Sequence, residues 1–156
     1  MEEHELTKSN FVLTDESESF LKETAKWAYF LSILGFITVG IIVLMALFLG
    51  TIMSTLGSLG GNSMGGSMSM MGNIGGIITV IYLIIAILYF FPVYYLFLFS
   101  SKAKAAFRNN NNELLNESFQ YLKSHYKFIG IMALIAIAFY GIILLVTTVI
   151  GMSTIF

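Results

Sequence analysis

The sequence predicts an all-α integral membrane protein: three transmembrane helices with cytoplasmic helical extensions. Three observations predict it. All seventeen charged side chains fall in residues 1–28 and 101–127. The remainder holds three apolar runs, each long enough to cross hydrocarbon as a helix of about 20 residues. Every Lys and Arg lies at what would be one end of the helices. A soluble domain spreads charge over its surface, because Lys, Glu, Arg and Asp are almost never buried unpaired. Here 11% of the 156 residues are charged and 57% are hydrophobic, with mean hydropathy +0.84.

Residues 1–28 are read as a cytoplasmic tail followed by an amphipathic helix. The tail runs to about residue 14, and Asp15-Glu16-Ser17-Glu18 is a helix start, with acids in the first turn against the helix dipole. Trp27 and Tyr29 mark the membrane interface, where amphipathic rings concentrate. Residues 29–53 form the first span. In 29–51, fifteen of twenty-three residues are Leu, Ile, Val, Phe or Met. A cleaved signal would have a basic start and a shorter apolar core, so this is a retained span.

Residues 54–74 are predicted to be a flexible outer loop, since they hold six Gly, five Ser and four Met without charge. The second span, 75–99, ends in a dense aromatic run with Pro92, which should kink the helix or free the carbonyl four residues earlier. Tyr94 and Tyr95 sit at its interface. Residues 100–127 are read as a cytoplasmic helical hairpin. Its first helix runs to about Phe107, Asn109 to Asn112 break it, and Asn110 with Glu113 caps the next. The third span is 128–151. Barrel strands would alternate apolar and polar residues, which these continuous runs do not.

Positive residues stay on the cytoplasmic side. Lys8, Lys22 and Lys26 precede the first span, and Lys102, Lys104, Arg108, Lys123 and Lys127 lie between the second and third. The outer loop and the final tail have none. The N-terminus is therefore cytoplasmic and the C-terminus outside, in a multi-pass protein of the cell inner (cytoplasmic) membrane.

Few groups can do chemistry. Cysteine is absent, which excludes disulfides and thiolate sites. His4 and His125 are far apart, and no ionisable residue lies within a span, which disfavours proton relays and coupled transport. No nucleophile, base and metal ligand converge, so neither an enzyme nor a resident cofactor is expected. Eight basic residues beside a membrane are explained by topology, so nucleic acid is not expected as a partner.

The function this leaves is a non-catalytic scaffold or interaction partner. Its partners are the lipid bilayer and either a second copy or another membrane protein. The candidate interaction residues are the amphipathic stripe Leu115, Phe119, Leu122 and Tyr126 and the basic cluster Lys102, Lys104 and Arg108. The first inner segment carries seven acids and three lysines, and the second five basic residues and two acids. That imbalance suggests the N-terminal helix docks on the hairpin. Small residues (Ser32, Gly35, Ala46 and Gly50 in the first span; Gly130, Ala133 and Gly141 in the third) allow close helix packing or self-association.

Two alternatives stay open. An oligomeric channel would be lined by hydroxyls such as Thr38, Thr79, Thr147 and Thr148. A Cu(I)-handling role would use Met64, Met68, Met70 and Met71, since thioethers are soft ligands. Three-span copper uptake proteins also carry Met motifs, but they keep M-x-x-x-M in the second span, and residues 75–99 contain no Met.

Three stretches, AKWAYFLSILGFI at 25–37, LYFFPVYYLFLFSSKAKAAF at 88–107 and ELLNESFQYLKSHYKFIGI at 113–131, together resemble a family of small bacterial inner-membrane proteins of unknown function. The resemblance covers residues 20–150 apart from the outer loop. It implies a location and an architecture, and its aromatic and packing motifs bring no functional residues with them.

Overall fold

A computed structural model describes residues 13–60 and 67–153. They form three helices: α1 (Asp15–Gly60), α2 (Ser67–Asn109) and α3 (Asn112–Ser153). At 46, 43 and 42 residues, each is about 60–70 Å long at 1.5 Å per residue. All three are long and apolar enough to cross a membrane. About half of each exceeds what hydrocarbon of roughly 30 Å requires, and this surplus carries the charges.

The helix ends follow local chemistry, one residue away from where the sequence suggests. Thr14, not Asp15, caps α1: its carbonyl accepts from Glu18 N (2.9 Å) and its hydroxyl from Ser17 N (3.2 Å). Asn110 is not the cap of α3. It adopts a left-handed φ of 48° and closes α2, with Asn111 N donating to Ala106 O at 3.0 Å. That six-to-one bond defines a Schellman end, where Asn is the usual substitute for Gly. Asn111 then caps α3, its Oδ1 accepting from Glu113 N (2.8 Å) and Leu114 N (3.2 Å). Two adjacent asparagines thus reverse the chain.

α2 is the spine. α1 packs along one side of it and α3 on another, while no α1 residue comes within 8 Å of α3 between Cα atoms. The α1 contact is built from small residues: Ala25, Ala28, Ala46, Ala86, Ala103 and Ala106 are buried, with Val93 and Phe99. Ser32, Ser100 and Ser118 are fully buried, and each hydroxyl donates to a carbonyl three residues back in its own helix. Such residues let backbones approach closely without leaving a polar group unsatisfied. Large side chains take the outside; Phe48, Leu134 and Ile137 are each more than 60% exposed.

The aromatic run at the end of the second apolar stretch works as a two-sided wedge. Phe36 of α1 sits between Phe90 and Phe97, at 5.7 and 5.8 Å between ring centres, and Tyr29 lies 5.7 Å from Phe97. On the α3 side, Phe91 meets Phe128 at 5.9 Å and Phe99 meets Phe119 at 6.5 Å. Edge and offset ring pairs of this kind contribute about 0.5–1.5 kcal/mol each beyond area burial. Pro92 is tolerated within α2 and buried against its neighbours.

The expected flexible loop at 54–74 is largely helix: 54–60 continue α1 and 67–74 begin α2, while residues 61–66 and the tail through residue 12 lie outside the described residues. Two causes are visible. Ser54, Thr55 and Ser58 return their hydroxyls to carbonyls of α1, so polarity is absorbed by the helix itself. The glycines flanking the segment, Gly50 and Gly75, serve close approach of α1 and α2. A Cβ on Gly75 would stand 2.6 Å from Met53 Cβ, and one on Gly50 would fall on Thr79 Oγ1. That hydroxyl in turn donates to Gly75 O at 2.9 Å and reaches Ala46 O across the interface at 3.3 Å.

Gly50→Val should therefore lower stability by about 1–3 kcal/mol, the cost of overpacking. Gly40→Val, where a Cβ meets open space, should change it little. Thermal unfolding of the two variants in the same detergent measures the difference.

Candidate functional site

The charged end of the molecule is where all three helices come together. The contacts of α3 with α2 concentrate in its first five turns. Ser118, Tyr121, Leu122, His125 and Phe128 recur on its packed face, at steps of three or four or directly adjacent, as one face of a helix requires. Tyr121 and Leu122 pack on a cluster of Ala25, Ala28, Phe99 and Ala103. His125 Nδ1 lies 2.7 Å from Pro92 O. A carbonyl only accepts, so Nδ1 carries the proton and the imidazole ties α3 to α2, one turn before Phe128 meets Phe91. Sequence reasoning missed this residue as a tether because it sought histidine as ligand or base.

The interaction stripe proposed from periodicity is divided by the fold. Leu122 is spent on the α2 contact, Phe119 touches Phe99 while staying 39% exposed, Leu115 is half-buried, and Tyr126 points away at 67% exposed. The basic triplet is also divided, because its members lie on different faces of α2. Lys102 Nζ donates to Glu117 Oε2 of α3 at 2.6 Å. Lys104 instead turns to α1, with its ammonium 3.6 Å from the centre of the Tyr29 ring. Arg108 is exposed in the last turn of α2.

α1 does dock on the 101–127 segment, through the α2 part of it and without acid–base pairing. Lys22 pairs within α1 to Glu18 at 2.6 Å and lies 5.5 Å from the Phe107 ring. Among the described residues no ion pair joins α1 to α2 or α3; alanines and cation–π contacts do the joining. Of the expected interface aromatics, Trp27 is 60% exposed, Tyr29 and Tyr95 are half-buried, and Tyr94 stacks on Phe90.

The third helix changes character after Phe128. Residues 129–152 are exposed throughout except half-buried Met132, and none of its most apolar window is buried. A Cβ at Gly130 or Gly141 would meet nothing within 4 Å. Ser32, Gly35, Ala46 and Gly50 of α1 are thus used inside the chain, and Gly130, Ala133 and Gly141 of α3 are not.

Hydroxyls expected to line a channel are bonded to helix backbone. Thr38 donates to Leu34 O, Thr147 to Ile143 O, and Thr148 to Leu144 O. Met64 lies outside the described residues, and Met68, Met70 and Met71 fall in the first turns of α2. Among the described residues no three His, Asp or Glu side chains lie together as a metal site.

The sequence profile of a family of unknown function, DUF5362, matches residues 61–150, more than half of the chain. The chain belongs to this family. The match takes in α2, the asparagine turn and α3 as far as Ile150; α1 lies outside it. No curated protein and no solved structure matches the chain.

Hydrogen bonding to Glu117, and then its charge, hold the Lys102 ammonium above the ordinary lysine value. The folded chain therefore keeps this proton more tightly than the unfolded chain. The bridge's contribution is complete below the ordinary lysine range, about 10.4, and is lost as pH rises through the raised value. The difference in unfolding midpoint between the wild type and Lys102→Met should stay flat across neutral pH and close under strongly alkaline conditions. A difference that widens with pH contradicts the bridge.

Proposed function

We propose that this chain is a multi-pass integral membrane protein that works as a non-catalytic scaffold, offering one of its own helices to a partner within the bilayer. The medium is argued from its packing, which has small residues inside and large apolar ones outside. A monomer in water rarely exposes a contiguous apolar patch beyond a few hundred Å², whereas hydrocarbon tolerates it at no cost. The confinement of all eight Lys and Arg to residues 1–28 and 101–127 of the sequence supports a cytoplasmic N-terminus and α2–α3 turn, with the C-terminus outside the inner membrane.

The observation that carries the scaffold reading is the bare half of α3. A helix clamped through residues 112–128 and exposed at every residue from 133 to 149 holds out an apolar surface beyond its own bundle. Such a surface is available to a second copy or to another membrane protein. Association there would rest on packing between helices, which in lipid favours small residues such as Gly130, Ala133 and Gly141.

Photo-crosslinking residues placed at Ile135 and Phe139, both more than half exposed, test it in native membranes. Discrete protein adducts are expected from these positions and not from Ala86, which is buried against α1. Adducts to lipid alone at Ile135 and Phe139 would overturn the scaffold reading.

A further inference from the structure

Between α1 and α2, at the level where charge gives way to apolar sequence, lies a cleft of about 400 Å³ lined by Lys22, Ala25, Lys26, Lys104, Phe107 and Arg108. It continues into a groove along α1 that adds Ser19, Glu23, Trp27 and Phe30. We propose that this cleft binds a phosphate-bearing anion, supplied as the headgroup of an anionic phospholipid.

Four cations from two helices converge here. The carboxylates that face them are Glu18, which is taken by Lys22 at 2.6 Å, and Glu23, which lines the groove and not the cleft. Lys26, Lys104 and Arg108 form no ion pair among the described residues. Like charges gathered in this way repel unless an anion joins them, and the two unesterified oxygens of a headgroup phosphodiester can accept from the Arg108 guanidinium and a neighbouring ammonium at once.

The position selects the lipid source. Lys104 lies over Tyr29, and Tyr29 abuts Phe97 at the start of the uncharged stretches. A headgroup sitting there would leave its acyl chains beside Trp27 and Phe30 on the outside of α1. Lys102 plays no part, since Glu117 holds it on the opposite side of α2. The proposal rests on the chain being embedded in a bilayer, as argued above, and adds which lipid it selects and where.

Trp27 is the single tryptophan, and it lines the groove, so its fluorescence reads the site directly. The full chain is reconstituted in phosphatidylcholine bilayers containing a minor share of either brominated phosphatidylglycerol or brominated phosphatidylcholine. With each basic residue near an anionic headgroup worth roughly fivefold, Lys104 and Arg108 together should let the anionic quencher act at about 25-fold lower mole fraction than the zwitterionic one. Lys104→Gln with Arg108→Gln should bring the two quenchers to parity. The charge-preserving exchange Lys104→Arg with Arg108→Lys, and Lys102→Gln, should keep the preference.

Equal quenching by both lipids in the wild type, or a preference that survives the double glutamine variant, would overturn the headgroup site while leaving the protein in its bilayer. Quenching by neither lipid would overturn the membrane placement as well. Loss of the preference on adding millimolar inorganic phosphate, with sodium sulfate at equal ionic strength as control, would assign the cleft to soluble phosphate and overturn the lipid source.

Discussion

Two long stretches of this chain carry no charge, and the backbone within them still has one donor and one acceptor at nearly every residue. Where water is excluded, those groups must be satisfied inside the segment, and of the spanning structures only a helix does so without a neighbouring strand. That constraint accounts for the three long uninterrupted helices. It also accounts for the hydroxyls. Ser32, Thr38, Thr51, Ser100 and Thr147 all donate to carbonyls of their own helix three or four residues back, which leaves none of them to seek water.

With the backbone satisfied locally, packing is left to decide how the helices meet, and it does so unevenly. α1 and α2 meet through alanine, serine and glycine, which bring the backbones close, and through an aromatic ladder where the interface widens. Among the described residues α3 is held by a histidine–carbonyl bond, an ion pair, two aromatic contacts and the packing of Tyr121 and Leu122, all in its charged half. The result is a tight pair with a third helix attached at one end. Family membership through α2 and α3 means that the asparagine reversal and the α3 clamp belong to the shared part of the chain, while the α1 partner surface lies outside the matched range.

How much of this could be read from the sequence depends on the interaction concerned. The three helices and their charged extensions follow from composition and charge placement, because hydropathy and helix length are properties of whole segments. The caps shifted by one residue, since Thr14 and Asn111 compete with equally good neighbours at Asp15 and Asn110, and only φ decides between them. The helix ends within 54–74 escape a sequence reading for a different reason. Glycine and serine favour coil in water, but Gly50 and Gly75 just outside this region bring α1 and α2 together against Thr79 and Met53, a pairing across more than twenty residues that no local pattern encodes. The basic triplet similarly reads as one cluster along the chain. Lys102 and Lys104 are two residues apart, however, and a helix sends them to different faces.

The most direct test of a hydrocarbon medium uses the absence of cysteine, which makes any introduced thiol unique. Single cysteines at Glu18, Leu44, Glu113 and Ile137 are exposed to a membrane-impermeant maleimide in native membranes opened to both faces. A spanning chain predicts rapid labelling at positions 18 and 113 and none at 44 and 137, although all four are accessible in the isolated fold. Labelling at 44 and 137 as fast as at 18 would contradict it, and with it the inside-out packing on which the proposed roles depend.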